Sequence, residues 1–222
     1  MVNQDDSFIR EVNDELRSDQ MRLVWQRFGR ILIGIAVLVV IGTIGKVSYD
    51  YWRDAEASAA GDRFLAALTL AREGKSEEAL AALTELEKDG FGSYPVLARM
   101  RSASLLAETD AAGAVTAFTA ISKDTSVPQA LRDAARLRAA YLLVDTGTYE
   151  QVSAEAEQLA VPQEKMRHSA REVLGLSAYK AGDMAKAKTW FQQIVDDAES
   201  PRNLANRAQM MLDLITASGK AS

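Results

Sequence analysis

The sequence has 222 residues, of which 48% are hydrophobic, and it contains no cysteine. This composition allows one domain of ordinary size with a real core, and it excludes disulfides, thiolate metal sites and a cysteine nucleophile. The net charge is -5 and no basic stripe is present, which argues against nucleic acid as a partner. Abundant alanine, with no alternating runs of Val, Ile and Thr, predicts an all-α chain.

Residues 1–30 are predicted to form a cytoplasmic N-terminal tail. Apolar residues recur in it near helical spacing, and residues 5–7 are predicted to cap a helix. Two interpretations stay open: an amphipathic helix that meets a cytoplasmic partner or the membrane surface, and a solvated, half-ordered leader. The mixed charges favour the leader. The apolar positions are Phe8, Ile9, Val12, Leu16 and Leu23.

An uncharged apolar run follows at residues 31–45. As a helix it rises only about 22 Å, which is less than a hydrocarbon core of about 30 Å. The aromatic flanks extend it, because a helix from Trp25 to Tyr51 rises about 39 Å and places aromatic rings at both interfaces. The sequence therefore predicts a transmembrane helix over residues 31–51. A buried core helix and a signal peptide cleaved near residues 57–59 are the less favoured alternatives.

Charges around the span predict its orientation. Arginines are more numerous on its N-terminal side than on its C-terminal side, which keeps the N-terminus in the cytoplasm. In a bacterium the large domain would then lie in the periplasm. The glycines Gly34, Gly42 and Gly45 fall near one face of the span, where small residues would let a partner helix pack closely.

Residues 54–222 carry a repeated pattern. A turn is followed at +5, +9 and +12 by small or apolar residues, and a glycine opens three of the four copies, at Gly74, Gly147 and Gly182. The +5 positions are 35, 38 and 35 residues apart, which is the tetratricopeptide period with one insertion. We expect about four helix pairs stacked into a solenoid. The patterned residues are Ala79, Leu83, Leu86, Ala114, Phe118, Ile121, Val152, Ala156, Leu159, Ala187, Phe191 and Ile194.

A final helix is predicted at about residues 201–216, with Pro201 in its first turn. It would cap the stack of helix pairs. The residues predicted to cover the last apolar face are Met210, Met211, Leu214 and Ile215.

The last copy resembles the tetratricopeptide consensus, from Leu174-Gly175 through Gly182-Asp183 to Phe191. The resemblance implies a groove lined by the first helix of each repeat, which would hold an extended or helical peptide. The alternative is that these residues are partly buried by the curvature of the chain. By alignment to the consensus, the groove would include Arg99, Tyr141, Leu176, Tyr179 and Lys180.

No residue pattern predicts catalysis, a cofactor, a metal or a small-molecule substrate. The lone histidine, His168, is expected on a helix surface, since it has no further ligands at matched spacing. The carboxylate pairs at residues 77–78 and 196–197 are expected to be solvated, and Trp190-Phe191 to lie in a repeat seam. The sequence also lacks a phosphate loop and a nucleophile elbow.

The whole layout resembles the bacterial ancillary subunit of the SecYEG translocon (YfgM-type). The residues that carry the resemblance are 8–12, 14–16, Trp25 and the repeats from residue 57. It implies a non-enzymatic inner-membrane protein that links SecYEG to a membrane-anchored periplasmic chaperone of the prolyl isomerase type. The alternative is a scaffold for another envelope complex, such as one for cytochrome c maturation or cell division.

Overall fold

The computed structural model describes the backbone of residues 3–219 and the side chains of residue 22 and residues 25–219. Within these residues every regular element is a helix, which confirms the all-α prediction. A short 3₁₀ helix, Glu157–Leu159, follows α6. The α-helices are α1 (Asn3–Arg72), α2 (Ser76–Asp89), α3 (Tyr94–Leu106), α4 (Ala111–Lys123), α5 (Gln129–Thr146), α6 (Tyr149–Ala156), α7 (Arg167–Lys180), α8 (Met184–Val195) and α9 (Arg202–Ala217).

Packing divides the chain into two compact units, Met1–Ser58 and Ala59–Ser222. Helix α1 begins at Asn3, so the cap predicted at residues 5–7 is wrong. The helix also continues past residue 51 and ends only at Arg72. The predicted apolar stripe of the tail lies outside the described side chains. The division into tail (1–30), span (31–51) and repeat domain (54–222) stays a prediction.

The apolar run of the first unit is exposed. Its side chains include Leu38 at 70% and Val39 at 62% of full exposure. One helical stretch among the described residues, Trp25–Arg72, is long and apolar enough to cross a membrane, and none of its apolar window is buried. The run is therefore not a core helix of this structure. Apolar surface of this extent marks contact with a membrane or a partner.

The second unit is a stack of helix pairs held by four successive apolar clusters. The clusters draw their side chains from α1–α3, α3–α5, α5–α7 and α7–α9 in turn. Each cluster thus joins both helices of one pair to the first helix of the next. This nearest-neighbour packing is the construction of a helical solenoid.

Eleven of the twelve repeated +5, +9 and +12 residues belong to these clusters, and the twelfth, Ala114, is fully buried. All twelve are at most 2% exposed, from Ala79 in α2 to Ile194 in α8. Residues spaced by three and four lie on one face of a helix, so the pattern gives each second helix a continuous apolar stripe. The prediction of four copies in register is confirmed.

Two of the three turn glycines adopt the left-handed conformation, with φ of +79° at Gly74 and +81° at Gly182. Both turns make the same bonds: the glycine N–H donates to the carbonyl three residues back, and the next N–H donates to the carbonyl five residues back. This is a Schellman helix end. Gly147 also ends a helix, α5, but its backbone is extended, with φ of −116°. An added Cβ at Gly147 would instead lie 2.8 Å from Oε1 of Gln151.

Helix α9 closes the stack. Its buried side chains are Leu204, Ala208, Leu212 and Ile215, which recur at the spacing of one helix face. The prediction that Met210 and Leu214 cover the last apolar face is wrong, because they are 62% and 49% exposed. They fall on the other side of the helix from the buried stripe.

Candidate protein-binding site in the repeat domain

The second unit contains a pocket of about 480 Å³. Its walls come mainly from α3 and α5, with Phe118 of α4 and Met166, which precedes α7. This volume falls within the range of ligand-binding pockets. The residues that line it are Ser104, Ala107, Phe118, Ala134, Leu137, Arg138, Tyr141, Leu142 and Met166.

One face of α5 forms the longest wall of this pocket. It consists of Ala134, Leu137, Arg138, Tyr141 and Leu142, which follow the i, i+3, i+4, i+7, i+8 pattern of a helix face. A neighbouring face of α5 carries Ala135 and Ala139, which are fully buried against the core. These small alanines let α5 pack closely against the core, whereas the larger side chains of α5 line the pocket.

Arg138 is the charged residue among those that line the pocket. Its side chain is exposed, and it has no hydrogen-bond or ion-pair partner among the described residues. No carboxylate lines the pocket. Arg101 lies one turn before Ser104 on α3, and its Nε atom is buried without a hydrogen-bond partner. The region around the pocket therefore has unpaired positive charge.

Arg99, a predicted groove residue, does not line this pocket. Its Nη1 atom donates to Oδ2 of Asp124 at 2.7 Å, and its Nε atom lies 3.7 Å from Oε1 of Glu87. Hydrogen bonds from Ser126 and Arg99 lower the pKa of Asp124 to about 2. Arg99 therefore ties α3 to the end of α4 and to α2.

Tyr141 is the predicted groove residue that does line the pocket. Its hydroxyl donates to Oε2 of Glu172 at 2.8 Å, and Nε of Arg207 donates to Oε1 of the same carboxylate at 2.6 Å. Burial and the bond to Glu172 raise the pKa of Tyr141. These bonds link α5, α7 and α9 and fix the tyrosine ring at the pocket.

The remaining predicted groove residues belong to the packing between repeats. Leu176 and Tyr179 are half-buried against the cluster of α7–α9. The Lys180 ammonium donates to the backbone carbonyls of Val144 and Asp145 at 2.8 and 2.5 Å, and so caps the end of α5. The structure thus brings Tyr141, but none of these three, to the pocket.

His168 is buried, so its expected surface position is wrong. It is 6% exposed, and its Nε2 atom lies 2.9 Å from Oδ2 of Asp197. Asp197 also accepts from Nε of Arg167 at 2.8 Å and Nη1 of Arg171 at 3.1 Å. Arg167 in particular lowers the pKa of Asp197. The expectation that Asp197 is a solvated carboxylate is therefore also wrong, because it anchors the turn after α8 to α7.

The carboxylates Glu77 and Glu78 are exposed on α2, as expected. In the described part of the chain, no group of His, Asp and Glu side chains could hold a metal ion. Two arginines, Arg167 and Arg171, pair with the Asp197 carboxylate, which gives the cluster the character of an ion-pair network. It holds the turn after α8 against α7.

The glycines of the predicted span meet open space. A Cβ added at Gly34, Gly42 or Gly45 would have no neighbouring atom within 4 Å. The packing face proposed for these residues is therefore free of contacts with the described chain. That a partner helix packs against this face stays a prediction.

Sequence reasoning missed Arg138, Leu137 and Met166. The sequence spacing could have identified the first two, because Arg138 and Leu137 lie three and four residues before Tyr141 and so on the same helix face. Met166 precedes α7 in the chain, and only the packing of α7 against α5 brings it to the pocket.

Residues 22–217 match the family of tetratricopeptide repeat-like domains. No significant match was found among curated proteins or among solved structures. The match covers most of the chain and includes all four helix pairs with their buried +5, +9 and +12 residues. The chain therefore belongs to the tetratricopeptide repeat-like domain family.

Proposed function

We propose that this protein is a non-enzymatic interaction module tethered to the bacterial inner membrane. Residues 31–51 span the membrane, the N-terminus lies in the cytoplasm, and the repeats bind protein partners in the periplasm. The observation that carries the proposal is the match of residues 22–217 to a repeat family whose stacked helix pairs generally bind other proteins.

The exposed apolar run supports the membrane tether. Apolar side chains over residues 31–47 have no cover within the structure, which would be unfavourable in water. A tether restricts the repeats to the membrane surface and raises their effective concentration for partners there.

The partners proposed are the SecYEG translocon and a membrane-anchored periplasmic chaperone of the prolyl isomerase type. The support is the resemblance of the whole layout to the ancillary translocon subunits. A charged N-terminal tail, one apolar helix and a repeat domain occur in the same order. The role is to bring the translocon and the chaperone together around newly secreted chains.

Affinity purification of the full chain from membranes in a mild detergent tests this partnership. We expect translocon subunits to co-purify with the wild-type chain. A variant with residues 31–51 replaced by an unrelated membrane helix should lose them. If the replacement retains the translocon subunits, the repeats and not the membrane helix select them; if the wild-type chain brings down no translocon subunits, a scaffold for another envelope complex explains the protein better.

A reporter fused after Ser222 tests the orientation. We expect activity from a reporter that works only outside the cytoplasm, and none from its cytoplasmic counterpart. The opposite result would overturn the periplasmic assignment.

A further inference from the structure

We propose that the pocket between α3 and α5 binds a segment of a partner protein in which an apolar side chain lies next to a carboxylate. This inference rests on the proposed function, because it names the partner chemistry of the repeat domain. The apolar side chain enters the pocket, and the carboxylate pairs with Arg138 at its wall and with Arg101 one turn away on α3.

The pocket wall requires an apolar occupant. Seven of its nine lining residues are apolar or aromatic, among them Phe118, Leu137 and Met166. A volume of about 480 Å³ accommodates one or two large side chains of a peptide. A free inorganic anion would leave this apolar surface in contact with water, so a protein segment fits better.

The charges next to the pocket favour an acidic occupant. Arg99, Arg167 and Arg171 each pair with a carboxylate in the described chain, whereas Arg138 has no such partner. Arg101 on α3 likewise pairs with no carboxylate among the described residues. A carboxylate from a partner supplies the acceptor that the chain does not.

The pocket is also rigid on the side where the segment would bind. Tyr141 is fixed by Glu172, and Glu172 is held by Arg207 of α9. The aromatic wall is thus set before a ligand arrives, which reduces the entropy lost on binding.

The test measures peptide binding to the full chain in lipid nanodiscs by fluorescence anisotropy. The first probe is a short peptide with a Leu-Phe pair flanked by Asp and Glu residues. A basic twin carries Lys at every acidic position, and a polar twin carries Ser in place of Leu-Phe. We expect the acidic peptide to bind at least about tenfold more tightly than either twin, and its binding to weaken with added salt.

Two variants locate the site. Arg138→Glu should weaken the acidic peptide by at least about tenfold and strengthen the basic twin. Ala134→Trp fills the pocket and should weaken the acidic peptide to a similar degree. The matched control is Arg202→Glu, since Arg202 is an exposed arginine in the first turn of α9 that does not line the pocket. It should bind the acidic peptide as the wild type does.

Circular dichroism of each variant confirms that the helices are intact. Equal affinity for the acidic peptide and its basic twin would overturn the inference. So would an acidic peptide that binds Arg138→Glu or Ala134→Trp as well as it binds the wild type. If both variants still retain the partners of the wild-type chain in the affinity purification, the pocket inference fails while the proposed function stands.

Discussion

Replacing Phe191 by alanine tests how the repeat stack is held together. The Phe191 side chain is 1% exposed and belongs to the cluster of α7, α8 and α9. Its ring lies against the backbone of Gly175, since a Cβ added to that glycine would be 2.9 Å from the ring atoms Cε1 and Cζ. Phe191 therefore sets the close approach of α8 to α7.

The expected loss of stability is large for a single substitution. Truncating a buried Phe to Ala costs about 3–5 kcal/mol in the free energy of unfolding. We expect the upper part of this range, about 4–5 kcal/mol, because Gly175 has no side chain that could move into the void. Domains of this size have a total stability of only about 5–15 kcal/mol.

The assay is urea unfolding of the full chain in nanodiscs, followed by circular dichroism, with hydrogen exchange to locate the effect. Because each cluster contacts only its neighbours, amide protection should fall mainly in α7–α9 and much less in α2 and α3. The control is Leu214→Ala, since Leu214 is 49% exposed on α9. It should change stability by less than about 0.5 kcal/mol.

Two results would refute this reasoning. A loss of stability below about 1 kcal/mol for Phe191→Ala would show that α8 is not close-packed against α7 at this position. An equal loss of protection in α2 and α7 would show that the stack unfolds as one unit, against nearest-neighbour packing.

Two further predictions concern a turn and an ion-pair network. Gly74→Ala should destabilise the chain by about 1 kcal/mol, since Gly74 has a φ of +79° with open space around it; an unchanged thermal midpoint would contradict this. Arg167 lowers the pKa of Asp197, and His168 and Arg171 also face this carboxylate. The ionised Asp197 therefore stabilises the folded chain above about pH 4, and this stabilisation is lost as the pH falls below that value. The urea midpoints of the wild type and Asp197→Asn should therefore differ at pH 7 and converge towards pH 2, and a gap that stays constant would rule out the ionised Asp197 as its cause.

The core of the repeat domain was predictable because its signal is local. Leu83 and Leu86 lie on one turn of α2, so their spacing alone assigns them to the same face. The turns at Gly74 and Gly182 were predictable for the same reason, since a helix that ends before glycine commonly places that glycine in the left-handed conformation.

The polar interior was not predictable, because its partners are distant in sequence. Asp197 meets Arg167 across 30 residues, and Glu172 meets Arg207 across 35. No spacing rule links such pairs, so local reasoning left His168 and Asp197 on the surface. The contacts of the predicted groove residues Arg99 and Lys180 were not predictable for the same reason, because their partners Asp124 and Val144 lie 25 and 36 residues away in the sequence.

The most direct test of the account places a photoactivatable cross-linking residue at Leu137, in the pocket wall, of the full chain in native membranes. We predict a discrete cross-link to a protein partner, which disappears when Ala134→Trp fills the pocket. The same residue placed at Leu214, which is exposed on α9 away from the pocket, should give no such product. No product at position 137, or one that is unaffected by filling the pocket, would contradict the claim that this pocket is the interaction surface of a membrane-tethered repeat protein.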